Sequence, residues 1–174
     1  MKIKKLSLLL LLPILLASLQ AQRLPAVSLS GSAGSAADGS PWSSRALRGK
    51  VHLILYMDPA LHKKAMPFLK ALDAHRFDAR AYSTVAIVNL ADTWIPDAIL
   101  ESLLRKKSRE LHATEFLFDR RKSLIKPWHL ADHDCNLILI DRRGKILYHR
   151  RGIPDPAQSE RIFRLIRQSI KKRD

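Results

Sequence analysis

The stretch from residue 129 to residue 135 carries the densest group of reactive side chains, with the sequence His-Leu-Ala-Asp-His-Asp-Cys. Imidazole, carboxylate and thiolate groups are ligands of zinc and copper ions. His129 and His133 would share one face if this stretch formed a helical turn. The sequence therefore offers His129, His133 and Cys135 as a candidate site for a divalent metal. The alternative is a polar surface loop in which Cys135 is buried as a small apolar side chain.

Cys135 is the only cysteine of the chain, which excludes an intramolecular disulfide. A single thiol can still act as a nucleophile if His133 or nearby arginines lower its pKa. A single-cysteine thiol protein is therefore an alternative interpretation, next to metal binding.

A second group of candidates follows the predicted strands. Asp58 comes directly after a long apolar run, where a carboxylate commonly caps the next helix. His62 lies at the start of that helix, where free backbone N–H groups attract anions. Asp92 and Trp94 follow a second apolar run. Ligands of open α/β sheets bind at the carboxyl ends of the strands, so Asp58, His62, Asp92 and Trp94 mark the candidate binding surface.

Apolar patterns predict the elements that must position these residues. The predicted strands are residues 51–57, 83–90, 116–118, 136–140 and 145–149, and the predicted helices are residues 60–75, 97–111 and 158–172. This order gives a parallel beginning, an antiparallel hairpin and a final helix, which docks through its apolar stripe. We predict an α/β protein of thioredoxin-like fold, with a central mixed sheet of about four to five strands flanked by helices.

The beginning of the chain has the composition of a secretory signal. Three lysines precede an apolar run of about 12 residues, which is followed by Ser18, Leu19, Gln20 and Ala21. An uncleaved anchor is the competing interpretation, because Leu19 is bulkier than the residue preferred two places before the cut. That run is shorter than the ~20 residues that span a bilayer, and no later stretch approaches this length. We predict a signal peptide over 1–21, a flexible segment over 22–44 rich in Ser, Gly and Ala, and a thioredoxin-like domain over 45–174. The expected location is the periplasm, without a transmembrane segment after cleavage.

The chain is strongly basic, with a formal net charge of +15. Such a charge favours anionic partners. Export argues against nucleic acid as a partner, so the expected partner is a periplasmic protein or an anionic component of the envelope.

Two segments resemble exported thioredoxin-like proteins of the TlpA and peroxiredoxin type. In the first segment, Asp38-Gly39 is followed by Leu-Arg-Gly-Lys-Val at 47–51, an apolar strand and a helix with Met66-Pro67. The second segment is the hairpin predicted over 137–146, with Gly152 beyond it. A closer resemblance is to the YtfJ family of bacterial periplasmic proteins. It rests on Ala-Ile-Val-Asn at 86–89, Asp92, Ile95-Pro96, Asp119, Trp128, Leu130, Asp141, Gly144 and Gly152. The resemblance implies the fold and the location, because none of these motifs is diagnostic of catalysis.

The chain departs from the redox members of this superfamily at the decisive place. Where they carry Trp-Cys-x-x-Cys between strand and helix, this sequence has Asp-Pro-Ala-Leu-His at 58–62. Disulfide exchange needs one attacking and one resolving thiol, and neither is present. Cys135 falls near the position of the family's cis-proline. We therefore favour a non-enzymatic binding or adaptor protein that is redox-inactive and needs no cofactor, with a single-cysteine or zinc- or copper-binding protein as the alternative.

Overall fold

The computed structural model describes residues 22–91, 96, 98–99, 102, 106, 111 and 113–172. The predicted signal peptide over 1–21 and most of the helix predicted over 97–111 lie outside the described residues. Among the described residues, no helix is both long and apolar enough to cross a bilayer.

The described elements follow the order that the sequence predicts, with additional strands at the beginning and one additional short helix before the final hairpin. The strands are β1 (Ser28–Leu29), β2 (Gly34–Ala36), β3 (Trp42–Ser43), β4 (Val51–Met57), β5 (Tyr82–Asn89), β6 (Thr114–Asp119), β7 (Asn136–Ile140) and β8 (Ile146–Arg151). The helices are α1 (His62–Ala74), α2 (Ile125–Trp128) and α3 (Pro156–Lys171). The structure is α/β and thioredoxin-like, which confirms the predicted fold class.

The central sheet has six strands in the order β2-β6-β5-β4-β7-β8. β4, β5 and β6 are parallel, whereas β7, β8 and β2 join antiparallel. β4 lies inside the sheet, and all seven of its residues are buried. A strand covered on both faces needs a nearly continuous apolar run, and Val51–Met57 is such a run with His52 as its one exception. The carboxyl ends of the three parallel strands therefore meet at one edge of the sheet.

Alternate residues of β4 face two separate cores. Leu53 and Leu55 pack in one core with Phe68 of α1 and with Phe163 and Ile166 of α3. The apolar stripe of α3 is thus buried against the sheet, as predicted. Each large apolar side chain buried in this way contributes about 1.5–3 kcal/mol to stability.

The other face of the sheet is covered by the beginning of the described chain and by α2. Leu29, Trp42 and Trp128 pack there with Ile54 of β4. The two indole rings meet edge to face at 6.4 Å, and Trp128 Nε1 donates to the carbonyl of Pro25 at 2.9 Å. Trp128 therefore packs over the sheet as part of this core.

The segment over 22–44 differs from the flexible stretch that the sequence predicts. It contains β1, β2 and β3, and β2 extends the central sheet to six strands by pairing with β6. Its order comes from backbone pairing and from two buried anchors, Leu29 and Trp42. The polar composition of this segment does not predict its strands, because β2 pairs with β6 through backbone groups that every residue carries.

Candidate functional site

The carboxyl edge of the parallel strands carries a continuous line of polar side chains. Its members are Asp58, Asn89, Lys122, Asp132 and His133, hereafter the Asp58 cluster. Asp58 directly follows β4, Asn89 ends β5, and the other three come from the loops that flank α2. Residues distant in sequence therefore meet at the edge where the sequence predicts a binding surface.

Asp58 is the centre of this cluster. Its Oδ1 accepts a hydrogen bond of 2.6 Å from Asn89 Nδ2, and its Oδ2 lies 3.4 Å from His133 Nδ1. The Asp58 side chain is 17% exposed, whereas that of His133 is 67% exposed. Asp58 makes no side-chain cap to the following helix, so its predicted role as an N-terminal cap is wrong. Its carboxylate instead links the ends of two strands to a loop.

The outer part of the cluster is an ion pair. Lys122 Nζ donates to Asp132 Oδ2 at 2.6 Å, and His133 Nε2 lies 3.7 Å from the same oxygen. The hydrogen bond from Lys122 lowers the pKa of Asp132, so this carboxylate is ionised at neutral pH. His133 thus stands between two carboxylates with most of its ring in solvent, where a partner can reach it.

His62 is exposed at the first position of α1. A turn of 3₁₀-helix, Pro59–Leu61, runs directly into this helix, and the His62 N–H donates to the carbonyl of Pro59. The backbone N–H of His62 is therefore not a free donor for an anion. Its imidazole remains available at the same edge as Asp58.

A buried carboxylate supports the site from below. Asp119 ends β6 and accepts hydrogen bonds from the backbone N–H groups of Ser123 at 2.8 Å and Leu124 at 3.0 Å. Tyr56 Oη donates to Asp119 Oδ2 at 3.4 Å, and burial together with this carboxylate raises the pKa of Tyr56 well above its ordinary value. Asp119 is fully buried, so it fixes the loop that leads to Lys122 and is not itself accessible.

The candidate metal ligands are not brought together. His129 ends α2 in the left-handed conformation, with φ of 53°, and His133 also has a positive φ of 54°. The predicted helical turn is therefore absent from this stretch. Within the described ranges, which include His129, His133 and Cys135, no three His, Cys, Asp or Glu side chains form a group that could hold a metal ion.

Cys135 is 1% exposed and packs in the core beneath α3. Burial, followed by the charge of Asp134, raises the pKa of the Cys135 thiol to about 12. A thiol with this pKa is protonated at neutral pH, which is the opposite of an activated nucleophile. Asp92 and Trp94, the remaining two sequence candidates, lie outside the described residues.

Comparison with known proteins agrees with this architecture. The family described as bacterial protein of unknown function (YtfJ_HI0045) matches residues 20–169. This chain belongs to that family. An uncharacterized protein of Haemophilus influenzae is 22% identical over 129 residues, which are 72% of this chain and 70% of the relative. The family match over residues 20–169 spans the whole Asp58 cluster, and the family is described as being of unknown function.

Solved structures show the same fold. A putative protein disulfide isomerase from Bacteroides thetaiotaomicron has a TM-score of 0.63 and 20% identity, covering 87% of this chain and 90% of that chain. A putative thioredoxin from Neisseria meningitidis has a TM-score of 0.61 and 21% identity, covering 87% and 91%. At these identities the likeness establishes the thioredoxin-like fold and not the activity.

Sequence reasoning had assigned no site role to Asn89 and had missed the pairing of His133 with Asp58. A usable signal exists for Asn89, because it is the polar residue that closes an apolar parallel strand, as Asp119 does for the next strand. His133 carries no such signal. Its contact with Asp58 spans 75 positions and depends on how the loop after α2 folds back over the sheet edge.

Proposed function

We propose that the protein is an exported, redox-inactive thioredoxin-like protein that acts as a binding or adaptor module in the periplasm. It binds a periplasmic protein through the carboxyl edge of its sheet. The observation that carries this proposal is the Asp58 cluster, because hydrogen-bonding groups occupy the place between β4 and α1 where redox members of the superfamily carry two cysteines.

The absence of an accessible thiol supports the redox-inactive part of the proposal. The sequence at 58–62 contains no cysteine, and Cys135 is buried with a raised pKa. Attack on a disulfide requires a thiolate, and a second thiol must resolve the mixed disulfide. No step of dithiol exchange can begin at this surface.

The exposed groups at this edge support binding. Asp58 is held by Asn89 from the protein side, while His133 and His62 extend into solvent. A carboxylate and imidazoles offer both acceptors and donors to a partner's backbone or side chains. The proposed role needs no metal or other cofactor, and every group that it uses belongs to this chain.

A reductase assay tests the redox part. Insulin reduction by the native protein in the presence of dithiothreitol is expected to match the rate without protein. The variant P59C/H62C restores the Cys-x-x-Cys spacing and serves as the positive control, with an expected rate several-fold above that background. Native activity equal to that of the variant would overturn the redox-inactive assignment.

Photo-crosslinking in intact cells tests the binding part. A photoreactive amino acid is placed at Ala60 or His62 beside the cluster, and at Arg164 on the exposed face of α3 as the matched control. One common adduct from Ala60 and His62, absent at Arg164 and reduced by the substitution D58N, is expected. Equal adducts from all three positions would contradict binding through this edge.

Osmotic-shock release of a product that begins at Gln22 is the expected sign of export.

A further inference from the structure

The structure assigns a second binding site, for a phosphate group, to an arginine-lined pocket at the end of the sheet opposite to the Asp58 cluster. The pocket measures about 50 Å³. Its cationic lining residues are Arg23, Arg45, Arg48 and Arg143. This site is independent of the proposed function, and we name it the arginine pocket.

The arginine pocket has a built frame. The beginning of the described chain passes beside the β7–β8 turn, where Leu24 N–H donates to the Gly144 carbonyl at 3.0 Å and Ile146 N–H donates to the Gln22 carbonyl at 2.9 Å. Ser44 Oγ accepts from Val27 N–H at 2.9 Å and ties the second wall to the same segment. These bonds hold three separate stretches of chain around one concavity.

Part of the pocket lining is apolar. Leu47 is 2% exposed and Ile140 is 1% exposed, and both line the pocket together with the arginines. Buried apolar lining lowers the local dielectric constant and strengthens the attraction between arginine and a bound anion. The volume suffices for one tetrahedral oxyanion, since a single water needs about 10–15 Å³ by the same measure.

Three of the four pocket arginines lack internal compensation. The lining contains no Asp or Glu among the described residues, and there Arg23, Arg45 and Arg48 form no ion pair with a carboxylate. Clustered like charges repel each other, so a bound anion would relieve this repulsion.

The choice of arginine points to phosphate. All four cations that line the pocket are arginines, although lysine is also common in this basic chain. The planar guanidinium binds two oxygens at once, and this fork suits phosphate and carboxylate better than the point charge of lysine does. One carboxylate is satisfied by a single fork, whereas a phosphate group has oxygens for several.

Inorganic phosphate is the first probe, with acetate at equal ionic strength as the reference. Binding is followed in the purified protein by NMR of the backbone amides of Leu24 and Gly144 and of the arginine Nε–Hε groups. We expect saturable shifts confined to the pocket, and an affinity at least tenfold lower in R45Q/R48Q. The control R164Q/K171Q removes the same charge from α3 and is expected to bind as the native protein does.

Further measurements distinguish a loss of folding from a loss of binding, the arginine fork from its charge, and a lipid headgroup from a soluble phosphate compound. The variant R48K keeps the charge, so an intermediate loss of affinity is expected from the missing fork, and thermal melts verify that each variant folds. Vesicles of phosphatidylcholine with phosphatidylglycerol, compared with phosphatidylcholine alone, test a lipid headgroup as the source. Sedimentation with anionic vesicles that R45Q/R48Q abolishes supports a headgroup, and phosphate binding without sedimentation supports a soluble phosphate compound. Equal losses in R45Q/R48Q and R164Q/K171Q, or shifts spread over all basic residues, would overturn the site.

Discussion

The amide of Asn89 donates a hydrogen bond of 2.6 Å to the carboxylate of Asp58, which joins the end of β5 to the residue that follows β4. Asn89 is 1% exposed, so its Nδ2 has no access to water as an alternative partner. A buried donor facing a carboxylate forms one of the stronger classes of protein hydrogen bond. The bond fixes the start of the loop that leads into α1.

A double-mutant cycle with D58A, N89A and D58A/N89A measures this bond. We expect each single variant to lose about 1.5–3 kcal/mol of unfolding free energy, because D58A leaves the buried Asn89 amide without its acceptor and N89A removes a hydrogen bond to a charged group. The double variant should lose less than the sum, with a coupling energy on the order of 1–2 kcal/mol. Urea denaturation supplies the values. A coupling near zero would mean that the two side chains do not interact in solution.

Asn136 provides a matched comparison for this cycle. Its side chain donates to the Ala131 carbonyl at 2.8 Å and accepts from the Ala131 N–H at 2.7 Å, and among the described residues it makes no hydrogen bond to Asp58. N136A is expected to destabilise the protein by a similar amount but to add fully to D58A. Coupling of both asparagines to Asp58 would show a general loosening of the sheet edge instead of one bond.

Cys135 is predicted to resist thiol reagents in the folded protein. With a pKa of about 12, only about one thiol in 10⁵ is ionised at pH 7, and burial blocks access further. Labelling by iodoacetamide, followed by intact-mass spectrometry, should therefore be at least about 10³-fold slower in buffer than in urea. The control is Q168C in a C135A background, whose exposed thiol should label at similar rates in both conditions. Fast native labelling that zinc suppresses would restore the metal-binding interpretation.

His52 is predicted to make stability depend on pH. It lies in β4 with 6% exposure, and neither ring nitrogen has a hydrogen-bond partner among the described residues. Burial, and then the charge of Lys50, lowers the pKa of His52 to about 4 from its ordinary 6.5. As the pH falls below 6.5, the unfolded chain binds the proton before the folded protein does. The stability is therefore complete above pH 6.5 and should fall by roughly 2–3 kcal/mol on the way to pH 4.

The variant H52L removes this titration and should flatten the pH profile of unfolding free energy between pH 7 and pH 4. Exposed His62 supplies the control, because H62Q changes a histidine without touching the core. Urea denaturation at several pH values measures all three proteins, and NMR of the imidazole reports the pKa of His52 directly. A profile for H52L as steep as that of the native protein would assign the pH dependence to other groups.

The bounds of β4 and β7 were predictable to the residue from the sequence, whereas the edge strand β2 was not. Val51–Met57 and Asn136–Ile140 are apolar runs that end at an aspartate and a turn, so composition and length define them. β2 has the sequence Gly-Ser-Ala and no apolar pattern, because only its backbone groups pair with β6. Gly34 is the residue that allows β2 to approach β6 closely, but the spacing of apolar residues does not indicate this.

The candidate site divides in the same way. Asp58 and His62 were found because a polar residue after a buried parallel strand lies at the carboxyl edge whatever the rest of the chain does. The partners of Asp58 were not found, because Asn89 is 31 and His133 is 75 positions away. The metal hypothesis depended on a helical turn over 129–133, and the positive φ values of His129 and His133 exclude that turn.

Gly34 is predicted to be required for the six-stranded sheet. It adopts φ of 152°, and a Cβ atom at this position would lie 2.1 Å from the backbone carbonyl oxygen of Phe118 on β6. The substitution G34A must therefore push β2 away from its partner, because a backbone oxygen cannot rotate aside as a flexible side chain can. We expect a loss of about 3 kcal/mol or more in unfolding free energy, or a detached β2 in an otherwise folded protein.

Hydrogen exchange distinguishes these two outcomes. The backbone N–H of Arg120 donates to the Ala33 carbonyl at 3.0 Å, and that of Ala37 donates to the Phe116 carbonyl at 2.9 Å. Both amides should therefore lose protection from exchange in G34A, while the amides of β4 keep theirs. Gly31 is the matched control, since its φ of 54° is also left-handed but a Cβ there meets no atom within 4 Å. G31A should cost only about 1 kcal/mol, the conformational penalty without the clash. Equal losses of unfolding free energy and of amide protection in G31A and G34A would contradict this prediction. They would show that β2 can move relative to β6 and that its close approach to Phe118 is not required.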